Sequence, residues 1–491
     1  MAFPAGLAAA FLETDAARGI GRLLFSCDAL FNTYCFLFLF LPIVLAGYWL
    51  VPRRGWKLAW ITAASLVFYS FWNVRFVPLL VASAIVDFVV AQRIAACPEA
   101  PDKRRKRWLI ASLVFNLGVL AVFKYAVWGA DNARGLFEAL GAPVRVPAFD
   151  IVLPVGISFY TFQTLSYTID VYRGDVPPTR NFLKYVAYVT MFPQLVAGPI
   201  VRYRDMDAQL DAVPRRPRAD LVVLGVSLFA IGLVKKGAIA DPIAARVDPL
   251  WAQPGSLDLV TGWLAALGYT LQLYFDFSGY SDMAIGLGAL LGFRFPVNFN
   301  APYQALDPSD FWRRWHISLS SFLRDYLYIP LGGNRKGPRR TTINLALVML
   351  LGGLWHGAAW TYVAWGGYHG LLLGIHRKWA AGWAALAMWA QKGLMFVLAV
   401  IGWVLFRAPD FATAGQVYAA MFTPAASAWH ILWTPPVLAI FAAVAFTMTA
   451  KATAIRTFRP DARGALLAAT LLLLGIVAMG SDYSPFLYYQ F

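Results

Sequence analysis

The sequence predicts an all-α, multi-pass membrane protein, and three observations carry that reading. Apolar residues make up 59% of the 491-residue chain and charged residues only 14%, with a mean hydropathy of +0.58. A soluble domain carries about a quarter charged residues, so these charges are too few to solvate a chain of this length. The apolar residues also fall in blocks that approach bilayer length. The stretches between the blocks are basic or rich in Pro and Gly, as membrane loops are.

Read in order, the blocks lie at 33–51, 58–72, 76–92, 108–128, 151–168, 182–200, 221–239, 259–275 and 283–293, then at 317–331, 343–356, 358–376, 385–405, 433–450 and 464–480. The first ends in Pro52-Arg53-Arg54 and is long enough to span rather than be cleaved as a signal. Several others are shorter than the roughly 20 residues of a perpendicular span. The expectation is therefore about 10–13 membrane-associated helices, some tilted, short or re-entrant. Lys103–Arg107 and the basic run at 335–340 precede the blocks at 108 and 343 and mark the cytoplasmic side, with 215–218 as a weaker marker. No linker or repeat divides the chain, which reads as a single domain.

The net charge is +16, from 42 Lys and Arg against 26 Asp and Glu. In a soluble protein that would point to nucleic acid. Here the bases sit between apolar blocks, so topology and attraction to anionic membrane lipids account for them, and no nucleic-acid partner is expected. Cys27, Cys35 and Cys97 form no metal or disulfide pattern, and the first two read as small apolar residues.

Polar and aromatic residues enter the apolar blocks between about 150 and 380, as in Ser158–Gln163, Tyr274–Asp282 and Asp310–His316. Ionisable groups at membrane depth mark a functional interior by default. Gly366, Gly370 and Gly374 recur every fourth residue and predict a smooth helix face for close packing. His316, His356, His369 and His376 fall in the same region, and His430 stands apart. His356, in Gly352-Gly-Leu-Trp-His-Gly357, has glycines that leave room for a substrate and could serve as a general base. A satisfied interhelical histidine fits the same residues. His316 follows Trp312-Arg-Arg-Trp315, which suits either an interfacial belt or a cavity shared with His356, with Arg313 or Arg314 facing phosphate or carboxylate.

Arg324 and Asp325 could pair internally, and Asp276 and Asp282 could each orient an imidazole or pair with an arginine. Metal catalysis finds no support: there is no His-Glu-x-x-His, and His369 and His376 share a helix face about 10 Å apart. No Gly-x-Ser-x-Gly elbow or Walker-type loop occurs either.

Trp312-Arg-Arg-Trp-His-Ile-Ser-Leu-Ser-Ser-Phe-Leu-Arg-Asp-Tyr-Leu-Tyr-Ile-Pro-Leu-Gly-Gly333 and Leu354-Trp-His-Gly357 closely resemble the membrane-bound O-acyltransferase family. Pro193–Arg202, Tyr274–Gly286, Gly332–Gly337 and the ending Phe486–Phe491 look like its bacterial branch that acetylates exported polysaccharides. The resemblance runs from about residue 24 to the end, so residues 1–22 read as an extension or an overlong start. It implies helices ringing a central tunnel, a domain over 23–491 and a catalytic core near 150–380. It further implies His356 as the catalytic histidine and His316 as the second; Arg313, Arg314 and Asp276 are expected to shape the site and its binding of the donor.

The activity implied is transfer of an acetyl group from a cytoplasmic donor, acetyl-CoA, across the bacterial inner membrane to a polysaccharide such as alginate. The acceptor could receive it directly or through a periplasmic SGNH or esterase-like acetyltransferase working with the secretion machinery. Acetylation of peptidoglycan or cellulose and D-alanylation of teichoic acid stay open on the same motifs. A secondary transporter would use similar buried carboxylates, although no inverted repeat is visible. A non-catalytic scaffold of an export complex would tolerate loss of both histidines.

Overall fold

The computed structural model describes residues 29–97, 103–142, 151–424, 432–449 and 461–479, together with Leu487. The possible extension at 1–22 and His430 lie outside the described residues. Within them the fold is all helical, with no β-strand. The helices are α1 (Leu41–Leu50), α2 (Arg54–Asn73), α3 (Val77–Ala95), α4 (Lys103–Ala139), α5 (Ile157–Arg173), α6 (Phe182–Thr190), α7 (Tyr203–Asp211), α8 (Ala219–Leu233) and α9 (Asp241–Ala252). They continue as α10 (Leu259–Leu290), α11 (Pro308–Arg314), α12 (Ile317–Leu323), α13 (Gly337–His356), α14 (Trp360–Lys378), α15 (Met388–Arg407), α16 (Phe411–Ala420), α17 (Pro435–Thr449) and α18 (Ala462–Ala478). Very short helices connect some of them.

Four stretches among the described residues are long and apolar enough to cross a membrane: Arg54–Ala95, Lys103–Ala139, Ala219–Ala252 and Met388–Arg407. Phe36–Leu50, Pro435–Thr449 and Ala462–Ala478 are shorter apolar helices. The multi-pass expectation is met, with two differences from the block reading. The basic run Lys103–Arg107 is the first turns of α4 rather than a loop before it. The blocks at 259–275 and 283–293 are one 32-residue helix, α10.

The polar stretch that seemed to divide those blocks is satisfied from other helices. Lys236 pairs with Asp276 at 2.6 Å, Lys235 pairs with Asp282 at 2.6 Å, and Ser281 accepts from Asn298 at 3.1 Å. A helix can therefore run through it, because its two carboxylates and Ser281 have partners. Its N-terminus is fixed by a capping box between Asp258 and Thr261.

Glycines let α8 and α10 cross at near backbone contact. A Cβ on Gly232 would stand 2.4 Å from the Gly279 carbonyl oxygen, and one on Gly286 would stand 2.6 Å from that of Gly225. Cys35, read from the sequence as a small apolar residue, is disulfide-bonded, whereas Cys97 is a free thiol.

Several contacts gather the basic helix ends on one face. Arg105, at the start of α4, donates to the Tyr172 carbonyl at 2.9 Å, and neighbouring Arg173 donates to the Asp325 carbonyl at 3.2 Å. Asp325 itself accepts from Arg324 at 2.7 Å, Arg202 at 2.6 Å and Arg204 at 3.2 Å. The sequence expectation of an Arg324–Asp325 pair is thus one edge of a larger cluster.

Candidate active site

α13 and α14 form the hairpin that carries His356. α13 starts at Gly337, whose φ of 82° is open to glycine, and is followed by Pro338. It stops at His356 because Gly357 turns extended, with φ −163° and ψ 155°. A Cβ at Gly357 would lie 2.1 Å from the Tyr362 ring, so a larger residue would have to displace that ring.

The glycine stripe on α14 packs as its spacing predicts. Cβ atoms at Gly366, Gly370 and Gly374 would stand 2.3 Å from the Met349 carbonyl oxygen, 3.1 Å from Ala346 Cα and 3.3 Å from Thr342 Cγ2. All three neighbours belong to α13, whose own Gly353 faces back with a Cβ position 2.2 Å from the Tyr362 carbonyl oxygen.

The C-terminal carbonyls of α13 are held by α4. The Tyr125 hydroxyl donates to the Leu354 carbonyl at 2.8 Å, and Lys124 Nζ donates to those of Trp355 at 2.5 Å and His356 at 3.0 Å. These contacts satisfy groups that a helix end leaves open. The His356 side chain is 4% exposed and sits among rings: Trp355 at 5.0 Å, Phe406 at 5.1 Å and Trp365 at 5.3 Å between centroids.

Two cavities meet at His356. One of about 360 Å³ is lined by Arg313, Arg324, Tyr328, Met349, Gly352 and Trp365 as well as His356. The other, of about 60 Å³, is lined by Lys124, Gly156, Ser158, Val196, Trp355 and His356. The larger one opens among residues of the basic face. His356 lies sixteen residue steps beyond Arg340 along α13, a rise of about 24 Å.

His316 is fully buried and sits in the left-handed region, with φ 42° and ψ 54°, just before α12. That conformation costs a non-glycine residue about 1–3 kcal/mol and persists only where the surroundings enforce it. Here the enforcer is Asn298. Its Oδ1 lies 3.0 Å from His316 Nδ1 and also accepts from Ser318 Oγ at 2.8 Å and the Ser318 amide at 3.3 Å. Its Nδ2 donates to Ser281 at 3.1 Å and to the Gly198 carbonyl at 3.4 Å. With the amide oriented by those contacts, Oδ1 requires a donor, which assigns the proton to Nδ1 and leaves Nε2 as the basic nitrogen.

The other sequence candidates separate. His316 and His356 both pack against the Trp355 indole, at 6.4 and 5.0 Å, yet His316 lines neither of the two cavities. Arg313 lines the larger cavity. Arg314 is turned to Asp310, at 2.9 Å, and to the Asn300 carbonyl, at 3.4 Å. Asp276 belongs to a buried ion cluster with Lys236, which also pairs with Asp241 at 2.7 Å, and accepts from the Leu487 amide at 3.1 Å. It lines neither of these two cavities. His369 is 1% exposed in an aromatic nest of Trp365, Trp312 and Phe311, and His376 ends α14 as expected.

Lys124 and Asn298 were not singled out in the sequence. Lys124 looks like one base in an apolar run, and Asn298 lies in Val297-Asn-Phe-Asn300 with no pattern of its own. The one available signal for Lys124 was a cation at mid-block in 108–128, a position that asks for a partner.

Comparison with known proteins identifies the family. The family model described as the membrane-bound O-acyltransferase family matches residues 176–407, which include both histidines. The chain is 46% identical over 396 residues to a probable alginate O-acetylase of Azotobacter vinelandii, covering 80% of this chain and 78% of that one. It is 40% identical over 493 residues to a probable alginate O-acetylase of Pseudomonas putida, covering 94% and 100%. It is 38% identical over 425 residues to a peptidoglycan O-acetyltransferase of Helicobacter pylori, covering 80% and 79%.

Proposed function

The chain belongs to the membrane-bound O-acyltransferase family, and we propose that it moves acetyl groups from acetyl-CoA on the cytoplasmic side, across the inner membrane, for O-acetylation of an exported polysaccharide of the alginate type. The observation that carries this reading is the place of His356, where a larger cavity lined by Arg313 and Arg324 and a second, smaller cavity lined by Lys124 share a single imidazole. An enzyme that passes an acyl group between two aqueous phases needs its base at such a junction.

The chemistry follows from that placement. The donor's flexible arm would enter the larger cavity, with its anionic end toward Arg313, Arg324 and the basic face. His356 would take the proton of an acceptor hydroxyl while the hydroxyl oxygen attacks the thioester carbonyl carbon. The tetrahedral intermediate would then break its C–S bond, and the thiolate would leave with the proton held by His356. His316, packed against Trp355, would steady that wall of the site and assist His356 through it. The two cavities would form the central tunnel that the family resemblance implies.

The preference for an alginate-type acceptor rests on the two alginate O-acetylases at 40–46% identity, against 38% for the peptidoglycan enzyme. Release to a periplasmic acetyltransferase rather than directly to polymer is part of the same reading. The test is polymer-bound acetyl in cells whose only copy carries His356→Ala. Loss of acetyl with the protein present and folded is expected. Normal acetylation would remove His356 from the mechanism and favour a transporter or scaffold.

A further inference from the structure

Lys124 is in the middle of α4, one of the long apolar stretches. Its contacts are the carbonyls of Trp355 and His356 and the Trp355 ring face, 5.7 Å from the ammonium. Among the described residues it has no carboxylate within ion-pair distance. A cation removed from water without a counter-charge is costly.

Capping α13 does not explain that cost. The neighbouring Tyr125 caps the same helix end with a neutral hydroxyl, at 2.8 Å. A neutral donor at position 124 would satisfy the same carbonyls. The charge itself therefore calls for a use, and the small cavity supplies one. Lys124 lines it beside His356, and its other lining residues named above carry no formal charge. An ammonium has three N–H donors. Two are taken by the carbonyls, which leaves one for the cavity.

We propose that Lys124 is a second catalytic residue, whose ammonium stabilises the oxyanion formed when the acceptor hydroxyl adds to the thioester carbonyl. The inference rests on the reading of His356 as the base. In the addition step the hydroxyl oxygen bonds to the carbonyl carbon, its proton passes to His356, and the carbonyl π electrons become the oxyanion that the Lys124 N–H meets. On collapse the C=O re-forms, the C–S bond breaks, and the thiolate takes the proton from His356. Lys124 neither gains nor loses a proton in this sequence. The carbonyl contacts hold the ammonium in place before the charge develops, which is what makes such a donor effective.

The test uses membrane vesicles from cells carrying single variants, supplied with labelled acetyl-CoA, with the initial rate of label entering polymer as the readout. Lys124→Gln keeps a neutral cap donor and removes the charge. The expected result is a fall in rate of about 100-fold or more, with donor affinity and thermal stability kept. Lys124→Arg restores the charge and should recover part of the rate. Unchanged turnover in Lys124→Gln would overturn the proposal, as would a loss matched by an equal loss of stability, which would make Lys124 a cap only. His356→Ala run alongside separates the two claims. If its rate persists, the base assignment fails. If it alone is inactive and Lys124→Gln is not, only Lys124 fails.

Discussion

At the level of single residues, the site depends on groups that hold its two histidines rather than on the histidines alone. His316 occupies a strained backbone position, and Asn298 enforces it while fixing which ring nitrogen is basic. Asn298→Ala should lower stability by about 1–3 kcal/mol, because it leaves His316 and Ser318 without their shared acceptor. It should also lower the acetylation rate by up to about 100-fold if His316 assists His356 through the Trp355 wall. Thermal unfolding and rate measured on the same preparation check both. Loss of stability at full rate would confine His316 to packing. The sequence made His356 visible, because an imidazole between apolar runs and flanked by glycines is unusual. It could not show Asn298, whose meaning comes from contacts to Gly198, Ser281 and Ser318 on separate segments.

At the level of elements, the α13–α14 hairpin places His356, and glycines set its spacing. Gly366→Ala would put a methyl carbon 2.3 Å from the Met349 carbonyl oxygen, and backbone cannot yield as a flexible side chain can. The hairpin must open instead, so a loss of about 1–3 kcal/mol or more is expected, with reduced acetylation. Gly367→Ala, next door, meets only Leu350 Cδ2 at 3.5 Å and should leave both unchanged. Melting temperatures of the pair decide it, and equal effects would contradict the seam. This seam was legible because a four-residue period is a local property of one helix. The length of α10 was not legible. Its polar middle reads as a break until Lys235, Lys236 and Asn298 arrive from elsewhere to satisfy it. The same contacts give Asp276 its partner, Lys236, since a buried carboxylate in sequence does not reveal which cation it meets.

At the level of the whole molecule, the Asp325 cluster fastens the segment after α12 to the segment before α7 and to the end of α5 on the basic face. Burial alone would raise the Asp325 carboxyl, but hydrogen bonds from Arg324 and Arg202 and their charges outweigh it and hold it at about 2. A depressed carboxylate contributes stability above its ordinary pKa of about 3.9, and that contribution is lost as pH falls through about 2. Asp325→Asn should therefore lower the melting temperature near neutral pH and flatten its fall between about pH 4 and pH 2. A variant with the parental profile would show that the cluster fastens nothing.

On the proposed function, the gathered basic ends and the larger cavity, which reaches His356, would take an anionic donor from one face and pass its acyl group to an acceptor on the other. That direction is tested by reconstitution with sided substrate. Labelled acetyl-CoA is presented only to the basic face of sealed vesicles, with polymer enclosed on the opposite side. The account predicts label on the enclosed polymer, abolished by His356→Ala. Label that crosses equally well in the His356→Ala protein, or that appears only when donor and polymer share a face, would contradict it.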